Sequence, residues 1–136
     1  MKHLIVNADD FGLAESINLG IIEGYKEGII TSTTVMAGGK AFEAGMELLK
    51  QHPQLGVGVH LTLDEEVPIS PPNKIPHLVT KEGKLLPRNN LLGKLICNGI
   101  PLEEIKTEWF LQVEKAASYS VPITHIDSHG HLHLFP

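Results

Sequence analysis

Apolar residues recur along this chain in two alternating rhythms, short β-branched runs and stretches with helical spacing. Leu4-Ile5-Val6 is a brief apolar run that predicts a buried strand, ending in Asn7-Ala8-Asp9-Asp10-Phe11-Gly12. Between Ala14 and Glu27, residues Ile17, Ile21, Ile22 and Tyr25 share one helical face, and Gly28 reads as the stop. Ile29 to Met36, rich in Ile, Thr and Val, predicts a second strand closed by Gly38-Gly39. Phe42, Met46 and Leu49 mark a second helix that stops before Pro53, and Leu55 to Thr62 reads as a third strand. Gly56 and Gly58 allow a neighbouring backbone to approach that strand closely.

From Leu63 to Asn90 the periodicity lapses, and five of the nine prolines (Pro68, Pro71, Pro72, Pro76 and Pro87) fall there. Connections beyond about 15 residues are unusual in compact domains, so this long Pro-rich segment, 63–90, reads as a lid or substrate loop. Asn98-Gly99 ends a short helical piece, and Pro101, Glu103 and Glu104 supply the chemistry of a helix start. Leu102, Ile105, Trp109, Val113 and Ala116 give that helix a core face. Val121 to Asp127 predicts a last strand, running into Ser128-His129-Gly130-His131-Leu132-His133.

Strands alternating with helices predict one α/β domain over residues 1–136, built on a parallel sheet that is either open or closed into a barrel. Such sheets gather their functional residues at the carboxyl ends of the strands. Asp9 and Asp10, His60, and the histidines near 130 all sit at those ends.

Charge and composition narrow the partners. The 136 residues hold 11 Lys+Arg against 16 Asp+Glu, a net charge of −5 with no basic run, which argues against phosphate-backbone recognition and so predicts no nucleic-acid partner. No apolar stretch approaches the roughly 18 residues of a membrane span. The first apolar run falls short of the 7 or so residues that a signal-peptide core needs. With the lone Cys97 unable to form an internal disulfide, the expectation is a cytoplasmic protein. Cys97 itself is expected to be buried as a small apolar residue.

Four of the eight histidines fall between His125 and His133. Neutral imidazole is the commonest metal ligand, and one carboxylate with two imidazoles leaves positions open for water on a divalent ion. Adjacent residues of an extended chain face opposite sides, so Asp9 and Asp10 are expected to divide two tasks, one holding the ion and one taking a proton from water. His129, His131 and His133 alternate with period two and would share a face if extended. Spacing leaves open which of them ligates, and equally a pairing of His125 with His129. No nucleophile elbow, phosphate loop or dinucleotide-binding turn occurs, which disfavours Ser or Cys nucleophile chemistry. A His₂Asp set suits Zn2+ or Co2+.

Four segments, in order, are Asn7-Ala8-Asp9-Asp10-Phe11-Gly12, Gly28-Ile29-Ile30-Thr31-Ser32-Thr33-Thr34, Gly58-Val59-His60-Leu61-Thr62 and Thr124-His125-Ile126-Asp127-Ser128-His129-Gly130-His131-Leu132-His133. Together they resemble the YdjC-like carbohydrate deacetylases, the chitooligosaccharide deacetylase group, nearly end to end. The resemblance implies a parallel (β/α) barrel of the polysaccharide-deacetylase type. It implies hydrolysis of the acetamide on N-acetylglucosamine units of short chitooligosaccharides such as diacetylchitobiose, with a small acetylated sugar as the partner. It implies a divalent metal ion, admitting Mg2+ beside Zn2+, with Asp10, His60 and His129 as ligands and Asp9 as catalytic base.

Family members are longer, so a chain ending at Phe135-Pro136 reads as the N-terminal half of the barrel. The remaining strands, the catalytic acid and much of the sugar site are then expected beyond it. Half a barrel leaves an open sheet edge, which predicts a homo-oligomer. The alternatives are another metal-dependent hydrolase, an amidohydrolase or phosphoesterase, or a non-catalytic metal-binding module.

Overall fold

Four parallel strands in the order β1-β2-β3-β4 organise the chain, as seen in a computed structural model that describes residues 2–134. Phe135-Pro136 lie outside the described residues. The elements are β1 (Asn7–Phe11), α1 (Glu15–Lys26), β2 (Ser32–Val35), α2 (Phe42–Leu49), β3 (Gly56–Leu61), α3 (Arg88–Ile96), α4 (Leu102–Ala117) and β4 (Ile123–Ser128), with short 3₁₀ turns at Pro72–Lys74 and His129–Leu134. The α/β architecture with a parallel sheet is the one expected.

Period-two alternation divides the sheet into an apolar and a polar face. Phe11, Val35, Val57, Val59 and Leu61 turn to one side, where Ile21 and Ile22 of α1, Phe42, Met46 and Leu49 of α2, and Ala116 of α4 close a core over them. Ser32, Thr34, Gly58 and His60 turn to the other. Ile126 pairs with Val59 and so belongs to the helix-bearing face, yet it is 61% exposed. No helix among the described residues covers it.

The first strand begins later than expected. Leu4 and Ile5 are 78% and 76% exposed, and pairing with β2 starts at Asn7 opposite Ser32. Hydrogen bonding decides over hydrophobicity here: Val6 O accepts Thr31 N and Ser32 N, so the ladder opens just past the apolar run. Cys97 is exposed, not buried, because it lies at the end of α3, beyond the apolar side that packs Leu91.

The segment from 63 to 87 is not a bare lid. Leu63, Ile75, Leu78, Leu85 and Leu86 form a second core with Leu91, Ile100, Ile105 and Leu132. A polar stripe on α4 pins it in place. Glu108, fully buried, accepts the backbone N–H groups of Ile69 and Ser70 at 2.9 and 2.8 Å. Gln112 bonds both backbone groups of Thr62, and Glu104 accepts His77 N and pairs with its ring. The expected core face of α4 is therefore only half apolar: Ile105 and Ala116 are buried, whereas Leu102 is exposed and Glu104, Glu108 and Gln112 lie inside. Buried polar groups of this kind persist because each backbone donor they satisfy would otherwise be orphaned.

Candidate metal centre

A bulge in β1 decides how the acidic residues are presented. Ala8 pairs with Thr33 and Phe11 with Val35, so Asp9 and Asp10 together stand against the single Thr34 between them. Asp10 absorbs the extra residue with a left-handed φ of 66°, a conformation that Asp tolerates better than most side chains. The expectation of opposite faces is overturned by this bulge, because both carboxylates approach His60. One Asp10 oxygen groups with ring nitrogens of His60 and His129, and one Asp9 oxygen groups with His60 and Asp127, each set lying within 4.8 Å.

His60, at the end of β3, is 3% exposed. Its Nε2 lies 3.3 Å from Asp10 Oδ1 and 3.3 Å from His129 Nδ1, and His129 Nδ1 lies 3.1 Å from the same Asp10 oxygen. Ligand atoms about 2.1 Å from one ion stand roughly 3.0–3.4 Å apart, so this spacing fits a single divalent cation. The hydrogen bonding behind His60 argues the same way. His60 Nδ1 is 2.6 Å from Asp127 Oδ1, and Thr34 Oγ1 donates to Asp127 Oδ2 at 3.0 Å. A proton held on Nδ1 toward Asp127 leaves the Nε2 lone pair facing the Asp10 carboxylate. Two acceptors opposed in this way suit a cation between them.

Asp127 was not among the candidate residues from sequence. The signal that finds it is register: it pairs with His60 across β3 and β4. The remaining histidines take other places. His125 lies over Gly58, where an added Cβ would come within 2.6 Å of its ring, and its Nδ1 is 2.8 Å from Thr124 Oγ1. His133 bonds Ser128 Oγ. The extended run expected through His129, His131 and His133 is replaced by a 3₁₀ turn broken by left-handed Gly130 and His131, so the three do not share a strand face.

Asp9 Oδ1 accepts Asn7 Nδ2 at 2.8 Å, and Asp9 lines a cleft of about 770 Å³ with Ser32, His125, Asp127 and His131. A second cavity of about 400 Å³, between Leu63, Ile105, Trp109 and Leu132, touches none of the three converging residues. Burial raises the Glu66 carboxyl above its ordinary value; Lys40 and His129 oppose the shift, while Glu65 and Asp10 reinforce it. Charged groups thus crowd one end of the sheet.

A family described as YdjC-like protein matches residues 3–136. A carbohydrate deacetylase from Clostridium beijerinckii is 43% identical over 130 residues, covering 96% of this chain and 50% of that protein. A chitooligosaccharide deacetylase from Proteus mirabilis is 42% identical over 142 residues, covering 99% and 52%. A crystal structure from Enterococcus faecalis V583, of a protein named as a candidate for cellobiose-phosphate cleavage, superposes with a TM-score of 0.83 at 36% identity, over 95% of this chain and 49% of that one. The chain spans about half the length of the curated relatives it matches, consistent with part of a barrel.

Proposed function

Because the chain belongs to the YdjC-like family, we propose that its site serves metal-dependent hydrolysis of the acetamide on N-acetylglucosamine units of short chitooligosaccharides. The observation that carries the reading is the convergence of one carboxylate and two imidazoles, Asp10, His60 and His129, at mutual distances of 3.1–3.3 Å. These three would hold a divalent ion, Mg2+ or Zn2+. When bound, such an ion acidifies water toward a pKa of about 7 and polarises the acetyl carbonyl.

This chain's own residues supply the rest. Asp9 accepts the proton of the attacking water, and its carboxylate is oriented for that task by Asn7 Nδ2 at 2.8 Å. Asp127 fixes the His60 tautomer and ring plane. The bulge lets the consecutive residues Asp9 and Asp10, proton acceptor and ligand, both approach His60. The reading extends to a cytoplasmic, self-associating protein with a small acetylated sugar as its partner.

The test is acetate release from N-acetylated chitooligosaccharides, with metal added, by a version extended to the length of the relatives. No release across a panel of such sugars, with turnover of phosphoesters instead, overturns the substrate. Asp9→Asn separates an enzyme from a metal-binding module: the enzyme loses its rate and keeps its metal.

A further inference from the structure

Asp64 lies just beyond β3 and is 1% exposed. Its Oδ2 accepts Arg88 Nε at 2.6 Å, while Oδ1 has no hydrogen-bond partner among the described residues. A buried carboxylate with one partner is costly and adds little to stability, so its contribution lies in what it holds in place. Arg88 opens α3. The hydrogen bond to this carboxylate also raises the pKa of the guanidinium above its ordinary value.

The guanidinium also lies beside Gly130. A Cβ added there would stand 2.8 Å from Nη1 and 2.9 Å from both Cζ and Nη2, near-equal distances that put the flat face of the guanidinium over the side-chain position of Gly130. Gly130 (φ 60°) and His131 (φ 56°) are consecutive left-handed residues, and His129 immediately precedes them. The turn that presents His129 Nδ1 is thus covered by a planar cation whose other end is locked by Asp64.

We propose that the Asp64–Arg88 pair is a positioning device for His129, the guanidinium face bracing the Gly130 turn that aims the imidazole toward Asp10 and His60. The proposal rests on the ligand reading of His129. Only glycine at 130 admits the contact, and only a planar side chain at 88 makes it. In this assignment Arg88 is a positioning residue that acts through His129.

Co2+ is the probe, titrated into the 136-residue chain by calorimetry and followed by its visible absorption, with far-ultraviolet circular dichroism recording the fold. His129→Ala is expected to lose at least a hundredfold in Co2+ affinity; without that loss the ligand reading falls, whatever Arg88 does. Arg88→Lys keeps a charge near Asp64 but lacks the planar face, and is expected to lose about tenfold in affinity with altered Co2+ band positions, second-sphere changes being worth about 10–100-fold. Gly130→Ala is expected to weaken binding in the parent and to cost at least fivefold less in an Arg88→Ala background, where its Cβ has room. If His129→Ala loses the metal while Arg88→Lys stays within twofold with an unchanged spectrum, the device does not exist. Should Gly130→Ala fail to fold, the Arg88→Lys spectrum and affinity decide alone.

Discussion

His60 and Asp127 stand opposite one another in the β3–β4 pairing, with Nδ1 and Oδ1 2.6 Å apart. The carboxylate behind the imidazole selects which nitrogen carries the proton, and so which is free to bind a cation. Asp127→Ala is therefore expected to weaken divalent-metal affinity about 10–100-fold while leaving the circular dichroism unchanged. Competition titration against a coloured chelator measures it, and unaltered affinity would show that His60 needs no orienting partner.

Removing a donor should matter more than removing its support. Asp10→Ala, His60→Ala and His129→Ala are each expected to abolish measurable metal binding at micromolar protein, whereas His131→Ala and His133→Ala leave it within a few-fold. Equal losses across all five would refute the ligand assignment.

Glu66 gives a pH signature. Burial holds its folded-state pKa above the ordinary value of 4.5. The neutral form therefore favours folding fully below about pH 4.5, and that contribution is lost as the pH rises through the folded pKa. Glu66→Gln, which stays neutral, should melt at a higher temperature than the parent at pH 7, with the gap closing toward pH 4. A variant less stable at pH 7 than the parent would contradict the assigned direction.

The Pro-rich segment is anchored by Glu108, whose carboxylate accepts Ile69 N, Ser70 N and Gln112 Nε2. Glu108→Ala leaves buried donors unpaired and opens a void, and is expected to cost about 3 kcal/mol. Urea denaturation reads the loss. Limited proteolysis should show new cleavage between 63 and 87, and unchanged cleavage there would mean that the apolar contacts alone hold the segment.

Both sheet edges, β1 and β4, lack a strand partner among the described residues, and Ile126 lies bare on the helix-bearing face. Unpaired edges and uncovered apolar surface recruit further chain. The 136-residue chain is expected to run as a dimer or larger by light scattering. A stable monomer would show that these edges tolerate solvent.

Periodicity made the helices legible because Ile21, Ile22, Phe42, Met46 and Leu49 fill one core, and β-branched runs marked β2 and β3. It failed at Leu4 and Ile5 because a strand begins where its ladder does, a long-range fact set by Thr31 and Ser32. Asp9, Asp10, His60 and His129 stood out through residue type and motif order. Their arrangement did not, since a bulge of one residue is invisible to a rule of strict alternation. Asp64, Arg88, Glu108 and Asp127 went unread for a shared reason. Each looks like an ordinary surface charge until tertiary contacts bury it or set it against a partner.

Asp10 and His129 lie 119 residues apart in sequence, and their side chains come within 3.1 Å of each other from opposite edges of the sheet. An ion shared between them would act as a detachable clasp, joining the first strand to the turn after the last around the whole circuit of the chain. Folding and metal supply would then be thermodynamically linked: free ion at a hundredfold excess over its Kd would add about 2.7 kcal/mol to the folded state. Starvation for the metal would accordingly loosen the sheet and expose the chain to proteases.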